Sequence, residues 1–234
     1  MVKRLFVSLL VAALFIVPAF AAKGVRGKAG KANRALVGAA GGGGVNLPAR
    51  DASAALTDEE RTVVLDMVLK SSSLQSSLGS SRYRVFGVEA TPVKNAGRLQ
   101  RQAHSLLYDY THNKTILVVN DITNGAPGTI IDTSVTDTQP AFTMEEYAEA
   151  KDLALKLDRV KKLMEQPTMR IQGGFSVEDG VPACAEQRHR CVQIQVNEQP
   201  NGMNGQFRLL VTVDLSARQV VEVREPKTPT TLAR

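Results

Sequence analysis

The sequence predicts an α+β protein built as two tandem repeats, each one helix packed on a four-stranded antiparallel sheet. Three observations carry this. A capped helix start occurs twice, at Leu56-Thr57-Asp58-Glu59-Glu60 and at Phe142-Thr143-Met144-Glu145-Glu146, 86 residues apart. Each start is followed by short strand-like runs broken by turn residues, the pattern of a β-meander. The same offset of 86 pairs Tyr83-Arg84-Val85 with Met169-Arg170-Ile171 and lays His104 to Tyr110 over Arg190 to Val196. Asp121-Ile122-Thr123 then matches Asp214-Leu215-Ser216 at an offset of 93, and the longer turn from Asn197 to Gln206 accounts for the slip of seven. A helix laid across a four-stranded meander buries one face of each, which makes a compact α+β unit.

The elements follow in order. Thr57 is a good N-cap, Glu60 stands where a capping box needs it, and the acidic first turn suits the helix dipole. Val64, Met67 and Val68 share one helical face, and Ser71-Ser72-Ser73 should end the helix. Arg82 to Glu89 alternates as a strand, and Pro92, Asn95 and Gly97 mark a turn. The stretch Arg98 to Val135 then holds three strand-like runs. They are His104 to Tyr110, Thr115 to Asp121 and Thr129 to Val135, with Asn124-Gly125 as a hairpin turn signal. The second helix starts at Thr143, keeps Ala150, Leu153, Leu157, Val160 and Met164 on one face, and stops at Pro167. Strands are expected over Met169 to Val177, Arg190 to Val196, Phe207 to Leu215 and Gln219 to Arg224.

Charge sits unevenly along the 234 residues. The formal net charge is +6, yet Lys3, Arg4, Lys23, Arg26, Lys28, Lys31 and Arg34 account for more than all of it. The rest is near neutral, so the basic character belongs to the N-terminal region. Lys3-Arg4, the apolar run Leu5 to Val17, Pro18 and the small residues Ala19 to Ala22 form a signal-peptide pattern, with cleavage expected after Ala21 or Ala22. An uncleaved anchor would need about 20 apolar residues, more than this run supplies. Residues 23 to 55 are Gly- and Ala-rich and read as a flexible linker. Gly41 to Gly44 lacks the preceding strand and following Lys-Ser/Thr of a phosphate loop. The expected organisation is therefore signal 1–22, linker 23–55, repeat 1 at 56–138, repeat 2 at 139–225 and a C-terminal tail at 226–234. Weak contact of the basic tail with an anionic surface is expected, falling as salt rises.

Cys184 and Cys191 are the two cysteines. Export implies an oxidising compartment, where so close a pair forms a disulfide. The alternative, a metal site of Cys184, His189 and Cys191, lacks a fourth ligand at usual spacing. The densest polar and aromatic cluster is Tyr108-Asp109-Tyr110 with His104 and His112. On a strand His104, Tyr108 and Tyr110 share a face and Asp109 points the other way. We take Arg101, His104, Tyr108 and Tyr110 as the candidate binding surface. A His104/Asp109 acid–base pair is the catalytic alternative. Arg82, Arg84, Arg98, Arg101, Arg188 and Arg190 could form an anion-binding patch, against solvated strand edges as the plainer reading. No aromatic-interleaved nucleic-acid module accompanies them, so no nucleic-acid partner is expected. Asn113-Lys114-Thr115 is an N-glycosylation sequon in a turn.

From Arg98 to Glu165 the residues resemble a known family. The motifs are Arg101-Gln-Ala103, Leu107-Tyr108-Asp109, Asn113-Lys114-Thr115 and Val118-Val119-Asn120-Asp121-Ile122-Thr123. Gln139-Pro140, Thr143-Met-Glu145-Glu146 and Asp158-Arg159-Val160 follow in order, and Val211-Thr212-Val213-Asp214-Leu215 repeats the strand motif. This order is similar to that of the second and third N-terminal accessory domains of copper amine oxidases, over roughly residues 55 to 225. The resemblance implies that each repeat is cystatin-like. The family's catalytic domain makes its quinone cofactor from a tyrosine in a Thr-x-x-Asn-Tyr-Asp/Glu setting and binds copper through three histidines. Neither that motif nor a His-x-His pair occurs here. The resemblance therefore implies an exported, secreted or periplasmic, non-catalytic binding module with no cofactor and no metal. Its expected partner is an unidentified protein or a second copy. A cystatin-type protease inhibitor is the other reading, but Gln219-Val220-Val221-Glu222-Val223 keeps the Gln and Val of the family wedge without its Gly.

Overall fold

The computed structural model describes residues 45–176, 181–199 and 206–225. The signal at 1–22, most of the linker 23–55 and the tail 226–234 lie outside these. No helix among the described residues is long and apolar enough to cross a membrane.

The chain is α+β, with two four-stranded antiparallel sheets in tandem. Helices α1 (Asp58–Lys70) and α2 (Ser72–Leu78) precede β1 (Tyr83–Asn95), β2 (Arg98–Asp109), β3 (Lys114–Asp121) and β4 (Thr129–Thr136). Helices α3 (Met144–Ala154) and α4 (Asp158–Met164) precede β5 (Met169–Ser176), a short α5 (Pro182–Ala185), β6 (Cys191–Glu198), β7 (Gln206–Asp214) and β8 (Gln219–Arg224). Each sheet keeps sequential order, β1-β2-β3-β4 and β5-β6-β7-β8.

Both capping boxes are formed. The Thr57 hydroxyl accepts from the Glu60 amide at 3.1 Å while the Glu60 carboxylate accepts from the Thr57 amide at 2.9 Å. Thr143 and Glu146 repeat this at 3.2 and 2.9 Å. Val64 and Val68 of α1 and Leu74 and Leu78 of α2 bury against Val88, Ala103, Leu107 and Val118 of the first sheet. In the second repeat Ala150, Ala154 and Val160 bury against Val192, Ile194, Leu209 and Val211.

Local structure departs from the sequence reading in four main places, besides the short helices α2 and α5. The second helix is broken after Ala154, because Leu153, Leu155, Leu157 and Leu163 all pack against the core. Residues two apart point to different sides of one straight helix, so only a break lets Leu155 and Leu157 both reach inward. Strand β1 continues through Pro92 to Asn95, and the turn is just Ala96 and Gly97, both at positive φ. Pro92 is tolerated because β1 is an edge strand and owes no second ladder bond. Asn124-Gly125 does not make a two-residue hairpin; it lies in the loop 122–128, where a Cβ on Gly125 would stand 2.1 Å from the Leu47 carbonyl oxygen. The N-terminal strap closes on this loop, the Leu47 amide donating to the Ala126 carbonyl at 2.7 Å.

The fourth departure is the alignment of the repeats. Ile122 donates to the Arg101 carbonyl at 2.9 Å, and Leu215 to the Arg190 carbonyl at 2.7 Å. Arg101 in turn donates through its amide to the Thr123 hydroxyl, and Arg190 to the Ser216 hydroxyl. Arg101 and Arg190 are therefore equivalent, at an offset of 89 rather than 86. His104 to Tyr110 corresponds to 193–199, not to Arg190 to Val196. The three additional residues fall between β5 and β6, where α5 and the Cys184–Cys191 disulfide replace the long distal ribbon of the β1–β2 hairpin. The expected disulfide is thus present.

Candidate functional site

The corrected alignment exposes a device used twice. Glu60, the capping-box carboxylate of α1, receives Arg101 Nη1 at 2.6 Å and Nη2 at 3.0 Å. Arg101 also donates to the Ala54 and Ala55 carbonyls, and its side chain is 1% exposed. Glu146 receives Arg190 Nε and Nη2, both at 2.9 Å, while Arg190 Nη1 donates to the Pro140 carbonyl at 2.5 Å. In both repeats one carboxylate caps the helix and clamps a buried guanidinium from the central strand. A bidentate pair of this kind satisfies both ions where water cannot. Glu146 carries a further load. Tyr110, at the end of β2, donates its hydroxyl across to Glu146 Oε1 at 2.8 Å, so a residue of the first repeat completes the clasp of the second.

Titration follows from these contacts. The hydrogen bonds from Arg101 outweigh burial and hold the Glu60 carboxyl at about 2, down from 4.5. Burial pushes Glu146 up, but Arg190, the Thr143 amide and Tyr110 together hold it below its ordinary value. A carboxylate depressed in the folded state stabilises fully above its unfolded pKa and loses that contribution as pH falls through the folded one. The thermal unfolding midpoint should therefore stay level from pH 7 to about pH 5 and drop between pH 4.5 and pH 2. In Glu60→Gln, a midpoint measured across the same range should start lower and lose part of that slope. An unchanged slope would show that Glu60 is not a source of the acid sensitivity.

Three of the four candidate surface residues lie inside the protein. Arg101 is in the clasp, Tyr108 is fully buried and Tyr110 is 2% exposed. The two rings meet edge-to-face at 5.0 Å, and Phe86, the bulged residue between Val85 and Gly87, lies 6.1 Å from Tyr108. Burial pushes the Tyr108 hydroxyl up to about 12. Local alternation reads this face as open; the second repeat covers its Tyr108 and Tyr110 end. Only His104 remains half-exposed, its pKa lowered by burial against the opposing charge of Glu89.

The catalytic and anion-binding alternatives do not assemble as written. His104 contacts Gln102 at 3.3 Å and stands on the face opposite Asp109. Asp109 pairs instead with His112 Nδ1 at 2.6 Å, and the Ser81 hydroxyl approaches the same nitrogen at 3.2 Å. A nucleophile triad needs the acid and the hydroxyl on opposite ring nitrogens. His189 Nδ1 likewise meets buried Asp214 at 2.6 Å. The six arginines do not form one patch. Arg84 and Arg218 bind Glu149 at 2.9 and 3.1 Å, Arg188 meets Asp137 at 3.3 Å, and Arg98 is exposed at the hairpin end. The Asn113 side chain accepts from the Ser216 hydroxyl at 2.5 Å in the contact between the repeats. No group of metal-holding side chains occurs among the described residues.

What stays open is the face of the first sheet turned away from α1. Three rows cross it in register: Gly87, Leu106, Leu117 and Ser134; Glu89, His104, Val119 and Asp132; Thr91, Gln102, Asp121 and Thr129. A groove of about 290 Å³ lies over Leu106 and Leu117, rimmed by Thr115, Ser134, Thr136 and Pro140. A larger groove of about 640 Å³ runs along α3 past Glu149 and Arg218. Its central carboxylate, Glu149, is already taken up by Arg82, Arg84 and Arg218, so the apolar groove is the better candidate. No protein-family model and no curated protein matches the chain.

Proposed function

We propose that the chain is an exported, non-catalytic module of two cystatin-like repeats, related to the accessory domains of copper amine oxidases, that works by binding another macromolecule. The observation that carries this reading is the open face and free edge of the first sheet. They stand beside an interior whose buried carboxylates and guanidinium groups are engaged with partners. Glu60, Glu146, Arg101, Arg190, Asp109 and Asp214 all have partners that use their charge structurally. The disulfide fits export to an oxidising compartment. The inhibitor alternative is less well supported: Gln219 to Val223 pairs along β7 as part of β8 rather than standing at a hairpin tip.

The test is chemical. Mature protein, supplied with copper(II) and incubated with primary amines, should release no hydrogen peroxide above the copper-only control. Copper-dependent turnover that follows the protein concentration would overturn the reading.

A further inference from the structure

We propose that the first sheet takes an extended, cationic polypeptide segment as a fifth strand along β4. The proposal rests on the binding reading above and names its partner class.

Edge strands expose unpaired backbone donors and acceptors, and proteins blunt them with proline, lysine, bulges or charge. Three of the four edges here are blunted. Strand β1 carries Pro92, Arg84 and Lys94. Strand β5 is interrupted by Gly173 and Gly174, both at positive φ, and β8 is six residues long and carries Glu222 and Arg224. Strand β4 reads Thr-Ile-Ile-Asp-Thr-Ser-Val-Thr, with one charge, Asp132, and no proline, glycine, lysine or arginine. Its one irregularity lies at its start, where the register shifts between Val119 and Asn120. From Asp132 to Thr136 it is regular, and Ile131 and Val135 are 52% and 54% exposed. An edge of this kind is suited to strand addition, in which backbone bonds give affinity and alternate side chains give specificity.

Charge decides the occupant. On the open face the two strands nearest this edge hold Asp121 on β3 and Asp132 on β4 and no lysine or arginine, while Glu89 lies on the far edge strand β1. A strand laid against β4 would alternate between this acidic face, where Asp132, Ser134 and Thr136 stand, and the opposite face, where Ile131 and Val135 are exposed. The complementary segment therefore alternates basic and apolar residues. A second copy of the chain fits less well. It would bring the same carboxylates together, and a pair of eight-residue edges alone falls short of the roughly 1,200 Å² that stable interfaces bury.

The probe is a fluorescein-labelled heptapeptide of alternating lysine and valine, titrated by fluorescence anisotropy with the full mature chain. Saturable binding is expected, weakening as salt rises. Asp132→Lys and Val135→Lys should each weaken it about tenfold or more while keeping the unfolding midpoint of the parent. Replacing the peptide's lysines by glutamate should do the same. Of two N-methylated peptides, one at the valines and one at the lysines, only one should lose binding, because alternate amides face the edge; this arm holds even if a protein variant misfolds. The proposal is overturned by no saturation up to about 1 mM, by equal binding to both variants, by both N-methylated peptides retaining affinity, or by a dimer in light scattering that Val135→Lys abolishes. If peptide binding fails and amine turnover is also absent, the binding reading stands with its partner elsewhere.

Discussion

Glu146→Gln lowers the stability of the protein by about 3–5 kcal/mol, read from the midpoint of denaturant unfolding with an unchanged slope. The size follows from what is stranded. Arg190 is fully buried, and its guanidinium is matched by Glu146 and by the Pro140 carbonyl. Glutamine keeps the shape but turns an NH2 towards that cation and supplies no charge. Removing one partner of a buried pair leaves an unpaired ion, which costs more than the pair contributes. Tyr110 loses a charged acceptor in the same step. Tyr110→Phe removes only that hydroxyl and should cost about 1–2 kcal/mol. A Glu146→Gln variant within about 0.5 kcal/mol of the parent would mean that the clasp is not structural.

Tyr108→Ala should cost a similar amount, about 3–5 kcal/mol. The ring is fully buried, touches Phe86 and Tyr110, and has the Arg190 guanidinium 5.3 Å from its centroid. Truncation leaves a cavity against the clasp. Tyr108→Phe should behave quite differently. The hydroxyl is buried and has no hydrogen-bond partner among the described residues, so its loss removes a desolvation penalty. Stability should be unchanged or slightly higher. Equal losses in the alanine and phenylalanine variants would show that the hydroxyl, not the ring, holds this contact.

Much of the architecture is written locally. The capping boxes at Thr57 and Thr143 need only four residues each, and the strand runs need only alternation. Such short-range signals survive in a single sequence. The clasps were also within reach. Arg101 lies in phase with Ala103 and Leu107, and Arg190 in phase with Val192, Ile194 and Val196, all buried. A guanidinium on the core side of a strand requires a buried anion, and each helix start offers a glutamate. The pairing itself is not local: it spans 41 and 44 residues, and a constant offset of 86 does not align the two arginines. The burial of Tyr108 and Tyr110 is hidden from the sequence for another reason. Alternation reports that two faces differ, but not which is covered when a second copy packs against the first. The disulfide was legible from compartment chemistry, whereas the helix α5 it tethers is four residues long and too short to announce itself.

The two repeats are joined where Tyr110 enters the Glu146–Arg190 clasp and where Arg82 donates to the Leu215 and Ser216 carbonyls, and should unfold as one unit. Scanning calorimetry of the mature chain tests this most directly. A single transition whose calorimetric and van't Hoff enthalpies agree is the predicted result. Two separable transitions, with Glu146→Gln shifting only the one that belongs to the second repeat, would contradict it.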